Sequence, residues 1–196
     1  MGGNQREALP RHTRLTGMTR VLTLLADVID AFVGFVGRIA SWLVLVLVLL
    51  VAINVLARYL FSAGTVAMQE MEWHLLAVTA LVGMSYGINR GDEVRVDMLY
   101  GNYGRRTKAM VDAVAGLLTV AVALIVLKLS LAYVAQSFSF GEGSPDPGGL
   151  PYRFVLKAMI TFGFALLALQ GFVETVRALR RLAAARGKQE PPKHGQ

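Results

Sequence analysis

The stretch Ile39-Ala40-Ser41-Trp42-Leu43-Val44-Leu45-Val46-Leu47-Val48-Leu49-Leu50-Val51-Ala52-Ile53-Asn54-Val55-Leu56-Ala57 runs for 19 residues between Arg38 and Arg58 without a charge. As an α-helix rising about 1.5 Å per residue it covers about 28 Å, close to the thickness of a bilayer's hydrocarbon core. The run is longer than the apolar region of a secretory signal and follows a long polar leader, so it reads as a retained span rather than a cleaved one. Three more uncharged stretches follow: Trp73 to Asn89, Ala113 to Leu127 and Ala158 to Val173. Each is short for a bilayer, so each helix must run past its bounding charges, with Asp112, Lys128 and Lys157 reaching towards headgroups or a partner.

The expected fold is therefore an all-α integral membrane protein. Four transmembrane helices are expected over about 38–58, 70–90, 106–138 and 151–178, the last opening at Pro151, a residue suited to a first helical turn. Composition agrees: 55% of the 196 residues are hydrophobic and only 17% charged, which excludes most soluble enzymes. The absence of cysteine excludes a disulfide scaffold, a thiolate zinc site, an iron–sulfur centre and a cysteine nucleophile.

Ahead of the first span, Val21, Leu22, Leu25, Val28, Ile29, Phe32, Val33 and Val36 recur at helical spacing, with Asp27 and Asp30 on the other side. Met18 to Gly37 is either an amphipathic extension lying near the membrane surface or the cytoplasmic end of one long tilted helix. The membrane domain is expected over 18–185, between disordered basic tails at 1–17 and 186–196.

Charge placement sets an orientation. Arg6, Arg11, Arg14, Arg20 and Arg38 precede or flank the first span, and Arg90, Arg95, Arg105, Arg106 and Lys108 lie in the middle connection. Arg177, Arg180, Arg181, Arg186, Lys188 and Lys193 follow the last span. With four alternating spans all of these fall on one face, which the positive-inside rule makes cytoplasmic. Both termini are then cytoplasmic, and the net charge of +7 reads as membrane orientation rather than nucleic-acid binding.

Ionisable residues within membrane segments are the functional candidates: Arg58, Glu70, Glu72, His74, Asp112, Lys128, Lys157 and Glu174. Glu70 and Glu72 either favour the positive end of the second helix's dipole or pair with Arg58 or a partner's cation. Neither resembles the central buried carboxylate of a proton-coupled pump. A bundle that binds haem in the common way needs two axial ligands, and of three histidines only His74 lies near a helix. No nucleophile spacing, Walker lysine or HExxH pair occurs, so no catalytic, cofactor or metal site is expected.

Two connections carry information. Gly91 to Tyr100 alternates apolar and charged residues and suits either a short interfacial segment or a solvated loop. Phe138 to Pro151 holds three prolines and four glycines, which specify a turn-rich loop on the opposite face, either contacting another protein or simply connecting. Gly83 and Gly87, with Ala77 and Ala80, give the second helix a small-residue face that lets another helix approach.

These residues together resemble the DctQ-type small membrane subunit of tripartite ATP-independent periplasmic (TRAP) transporters. The resemblance runs from about Val21 to Arg181. It rests on Asn54-Val55-Leu56-Ala57-Arg58-Tyr59-Leu60-Phe61, on Gln69-Glu70-Met71-Glu72, on Gly83, and on Val94-Arg95-Val96-Asp97. Where the family often has a histidine before the last element, this chain has Asp92 and Glu93, and Trp73 follows the acidic pair rather than preceding it. The resemblance implies a non-enzymatic inner-membrane scaffold that braces a large DctM-type subunit. A periplasmic binding protein would deliver an organic acid, such as a 2-oxoacid or C4-dicarboxylate, with sodium bound in the large subunit. A structural phospholipid is the ligand this reading adds. Arg58, Tyr59, Glu70, Glu72, Gly83, Gly87 and Asp97 are the interface or helix-orienting candidates, and Ser144, Asp146, Gly149 and Pro151 those of the periplasmic loop. The rival readings are a membrane anchor for a respiratory enzyme and a small self-assembling exporter.

Overall fold

The computed structural model describes residues 11–92, 101 and 103–187, with side chains from residue 20 to residue 185 of these. Four helices and no strand occur among the described residues. They are α1 (Arg11–Phe61), α2 (Val66–Arg90), α3 (Arg105–Ser139) and α4 (Arg153–Gly187). Of the segment Gly91 to Tyr100, residues 93–100 lie outside the described residues, as do residues 188–196 of the C-terminal tail.

Met18 to Gly37 is helical and continuous with the first span, α1 running through the whole stretch without a break. The second helix starts earlier than expected, at Val66, because the Thr65 hydroxyl accepts the Met68 N–H at 3.2 Å and caps it there. Glu70 thus sits beyond the first turn, where the helix dipole has largely faded, and no acid occupies that turn. The fourth helix starts at Arg153 rather than Pro151, because Tyr152 holds a left-handed φ of 65° that cannot begin a right-handed helix.

By length and composition, three helices among the described residues can cross a membrane: α1 over Arg20–Phe61, α3 over Arg105–Ser139 and α4 over Arg153–Ala185. The 25-residue α2 is long enough, but Glu70, Glu72, His74 and Asn89 dilute its apolar character.

The helices meet along narrow seams of small residues. On α3 the buried positions are Ala109, Gly116, Ala123, Ser130 and Ser137, one every seventh residue, facing α4. A seven-residue repeat keeps one stripe in register with a neighbour only if the helices wind around each other with a left-handed twist. The contact is close: a Cβ on Gly116 would stand 2.6 Å from the Thr175 hydroxyl and 3.0 Å from its backbone nitrogen, so only glycine fits. On α1 the buried Ala26, Val33, Ala40 and Asn54 fall on the same seven-residue spacing.

Helix α4 is central, touching α1, α2 and α3, whereas α3 packs mainly on α4. The core gathers Val33, Ala40, Val82 and Leu166, with Ile29, Leu43 and Val78 packed around them. Elsewhere the apolar side chains point outward, Trp42 at 68% exposure and Leu129 at 67% among them, as on a bundle whose solvent is lipid.

Candidate functional site

The paired charged side chains among the described residues gather in two sets, one towards each end of the bundle. At the end where α2 finishes and α4 is in its second half, Asp30 of α1 is the hub. The Arg177 guanidinium reaches its carboxylate at 2.9 Å, and the amides of Asn89 and Gln170 donate to the same group at 2.8 and 3.2 Å. Arg177 also meets Glu174 at 3.1 Å, and Arg181 meets Asp112 of α3 at 3.1 Å. Gln170, Glu174 and Arg177 follow a four-then-three spacing that puts them on one face of α4. All four helices are thereby tied together. Gln170 is fully buried with its Oε1 unpartnered, so the set is nearly, not completely, satisfied.

At the other end the 138–151 loop folds onto α2. The Ser144 hydroxyl donates to Glu70, and the Leu150 N–H donates to the same carboxylate at 2.6 Å. Glu142 accepts from the Ser137 hydroxyl at 2.6 Å and from the Lys157 ammonium, which also lies 3.9 Å over the Tyr133 ring. These donors, Lys157 first and Ser137 next, hold the Glu142 carboxyl below the usual carboxylate range. Edge-to-face contacts of Phe154 with Phe138 and Tyr152, at 5.2 and 6.0 Å, pack the loop against the start of α4. Glu72, one turn into the bundle, accepts from the buried Asn54 of α1 at 2.8 Å.

The other candidates fall as follows. Arg58 is exposed beside Gly64 and joins neither carboxylate of the acidic pair. Tyr59 is 82% exposed. Gly83 and Gly87 have open space around them, with nothing within 4 Å of a built Cβ. Asp146 is exposed and its N–H donates to Ser144 at 3.2 Å, while Gly149 closes a turn onto the Asp146 carbonyl at 3.0 Å. Pro151 is exposed beside the loop's anchor. Asp97 lies outside the described residues. The Nδ1 of His74 is 2.6 Å from the Glu70 carbonyl, which commits that ring nitrogen to its own helix. No group of three or more His, Cys, Asp or Glu residues that could hold a metal ion occurs among the described residues.

Sequence reasoning missed the Asp30 hub and the small seam of α3. The first had a signal in Asp30 on the polar side of α1 and in the shared face of Gln170, Glu174 and Arg177. The second had one in the seven-residue recurrence of Ala, Gly and Ser. Among the described residues both sets tie helices to one another.

The sequence model of a family described as tripartite ATP-independent periplasmic transporters, DctQ component, matches residues 47–181. The match takes in the Asn54–Phe61 element, the acidic pair and the loop, and leaves residues 11–46 of α1 outside. No curated relative matches the chain.

Proposed function

Because the chain belongs to the DctQ-component family of tripartite ATP-independent periplasmic transporters, we propose that it is a non-enzymatic brace for the transporter's large membrane subunit. In this reading a DctM-type subunit carries an organic acid across the inner membrane by coupling to sodium that it binds itself, after a periplasmic binding protein has delivered the substrate. The present chain crosses the membrane four times, α2 included, with both termini in the cytoplasm. The 138–151 loop then faces the periplasm beside the binding protein. The substrate is read as a carboxylate such as a 2-oxoacid or C4-dicarboxylate.

One observation carries this reading: the bundle is cross-tied at both ends through Asp30–Arg177 and Glu70–Ser144, and its middle is filled by close-packed small and apolar residues. Such a body resists deformation. A carrier that moves one part against another needs the other part to stay still in the bilayer, and extra helices enlarge its hold on lipid. The four-span reading of α2 draws on the same contacts. Its polar residues turn inward, Glu72 to Asn54 and Asn89 to Asp30, so they need not face hydrocarbon.

Deleting the chain from cells that express the large subunit and the binding protein tests the proposal. Substrate uptake is expected to fall to background and to return when the chain is supplied from a plasmid. Undiminished uptake in the deletion strain would refute it.

A further inference from the structure

Lys128 is a cation without a charged partner among the described residues. It lies on α3 eleven residues before the helix ends at Ser139, and its side chain is exposed. Ten residues separate it from Phe138, about 15 Å along the axis. Phe138 belongs to an exposed aromatic set at that end of the bundle, with Tyr59, Phe61, Trp73 and Tyr152. Aromatic residues of this kind collect at headgroup level, and the hydrocarbon core is about 30 Å thick, so Lys128 stands near mid-depth. A four-carbon stem covers less than half of the way back to the surface.

Three other cations on the helices have acidic partners within the chain, whereas Arg38 and Arg58 lie at the two ends of the uncharged run of α1. Lys157 has Glu142 and the Tyr133 ring, Arg177 has Asp30 and Glu174, and Arg181 has Asp112. No hydrogen bond or ion pair engages Lys128 among the described residues. Its neighbours on the outward face of α3 are Leu117, Leu124, Ile125 and Leu131, all exposed. The opposite seam, with Gly116, Ala123 and Ser130, is already used against α4.

We propose that Lys128 marks a docking face on α3 for a membrane helix of another subunit that carries a carboxylate near mid-depth. The inference rests on the reading of the chain as one subunit of a larger carrier. An isolated charge in hydrocarbon is costly; a carboxylate aligned with it inside an interface offsets part of that cost, and removing either partner then leaves an uncompensated charge. A second copy of this chain cannot supply that group from its described residues. Its carboxylates there lie towards the two ends of the bundle, and an α3-to-α3 contact would set lysine against lysine. The partner helix is therefore heterologous, apolar over the Leu117 to Leu131 stretch and acidic opposite Lys128.

The test is retention of this chain by a tagged large subunit, with wild type compared to Lys128→Arg, Lys128→Met and Lys128→Glu. Ala132→Trp, at an exposed position one turn away, adds bulk to the same face without touching the charge. Helicity and melting of each isolated variant are measured in detergent. Retention is expected to fall at least tenfold for the Met, Glu and Trp variants and to stay within twofold for Arg, with the isolated chains as helical as wild type. Met and Glu variants retained as well as wild type would overturn the docking face and leave the subunit reading standing, the ammonium then being served by lipid phosphate. Self-association of the isolated chain that depends on Lys128 would also overturn it, in favour of a second copy. Failure of the wild-type chain to be retained would overturn the subunit reading and this inference with it.

Discussion

Asp30 on α1 and Arg177 on α4, 147 positions apart in the chain, meet at 2.9 Å and join the first helix to the last. The pair is about three-quarters shielded, and Asn89 and Gln170 complete its hydrogen bonding. Removing one partner leaves the other charge in a partly dry site, a change that costs up to 3–5 kcal/mol when burial is complete and about 1–3 kcal/mol at this exposure. Arg177→Met is therefore expected to lower the chain's melting temperature in detergent. The double variant Asp30→Leu with Arg177→Met should recover part of the loss, and a double-mutant cycle gives the coupling directly.

Glycines divide into two classes with opposite expected behaviour. A Cβ on Gly163 would stand 2.8 Å from the Leu81 Cβ and 3.3 Å from its backbone, and Gly116 is tighter still. Alanine at either position forces α4 away from its neighbour and should cost about 1–3 kcal/mol. Gly83 and Gly87 have no neighbour within 4 Å, so alanine there should stabilise the isolated chain by about 0.5–1 kcal/mol. If α2 uses that open face against the large subunit, the same two alanines weaken the complex while strengthening the chain. Thermal melts of the chain and pull-down of the complex separate the two effects.

Much of this architecture was legible before any coordinates. The charge gaps located every helix core, because desolvating a charge in hydrocarbon outweighs almost any local preference. The ends were less legible: Thr65 as a cap and the left-handed Tyr152 moved two helix starts, and neither is a hydrophobicity signal. Pairing was hardest. The acidic pair Glu70 and Glu72 was recognisable, but its partners turned out to be Ser144, the Leu150 N–H and Asn54 rather than Arg58. Hydrogen bonds between distant helices leave no periodicity to read, whereas the seven-residue seam of α3 does and was overlooked in favour of the GxxxG-like spacing on α2.

Acid is expected to loosen the 138–151 loop. Lys157 and Ser137 hold the Glu142 carboxyl below its ordinary range, so the group takes up a proton less readily folded than unfolded. Its contribution to stability is complete above the ordinary carboxylate range and is lost as pH falls through the lowered folded value. Glu142→Gln should remove that share of the acid sensitivity. The check is the difference in melting temperature between variant and wild type, which should be largest near neutrality and shrink in acid.

Topology has a direct chemical readout, since the chain has no cysteine of its own. Asp146→Cys in the exposed loop should react with a membrane-impermeant maleimide added to intact cells, whereas Arg105→Cys at the exposed start of α3 should react only after the membrane is opened. The reverse pattern would invert the orientation. Labelling of both from outside would reduce the number of crossings between them from odd to even and remove the span assigned to α3.

Reconstitution into vesicles addresses the brace itself. Purified chain alone, large subunit alone, and the two together are each given binding protein, labelled substrate and an inward sodium gradient. The account predicts uptake above background from the pair and none from the present chain alone. Solute movement by this chain alone, or equal uptake by the large subunit without it, would contradict the account.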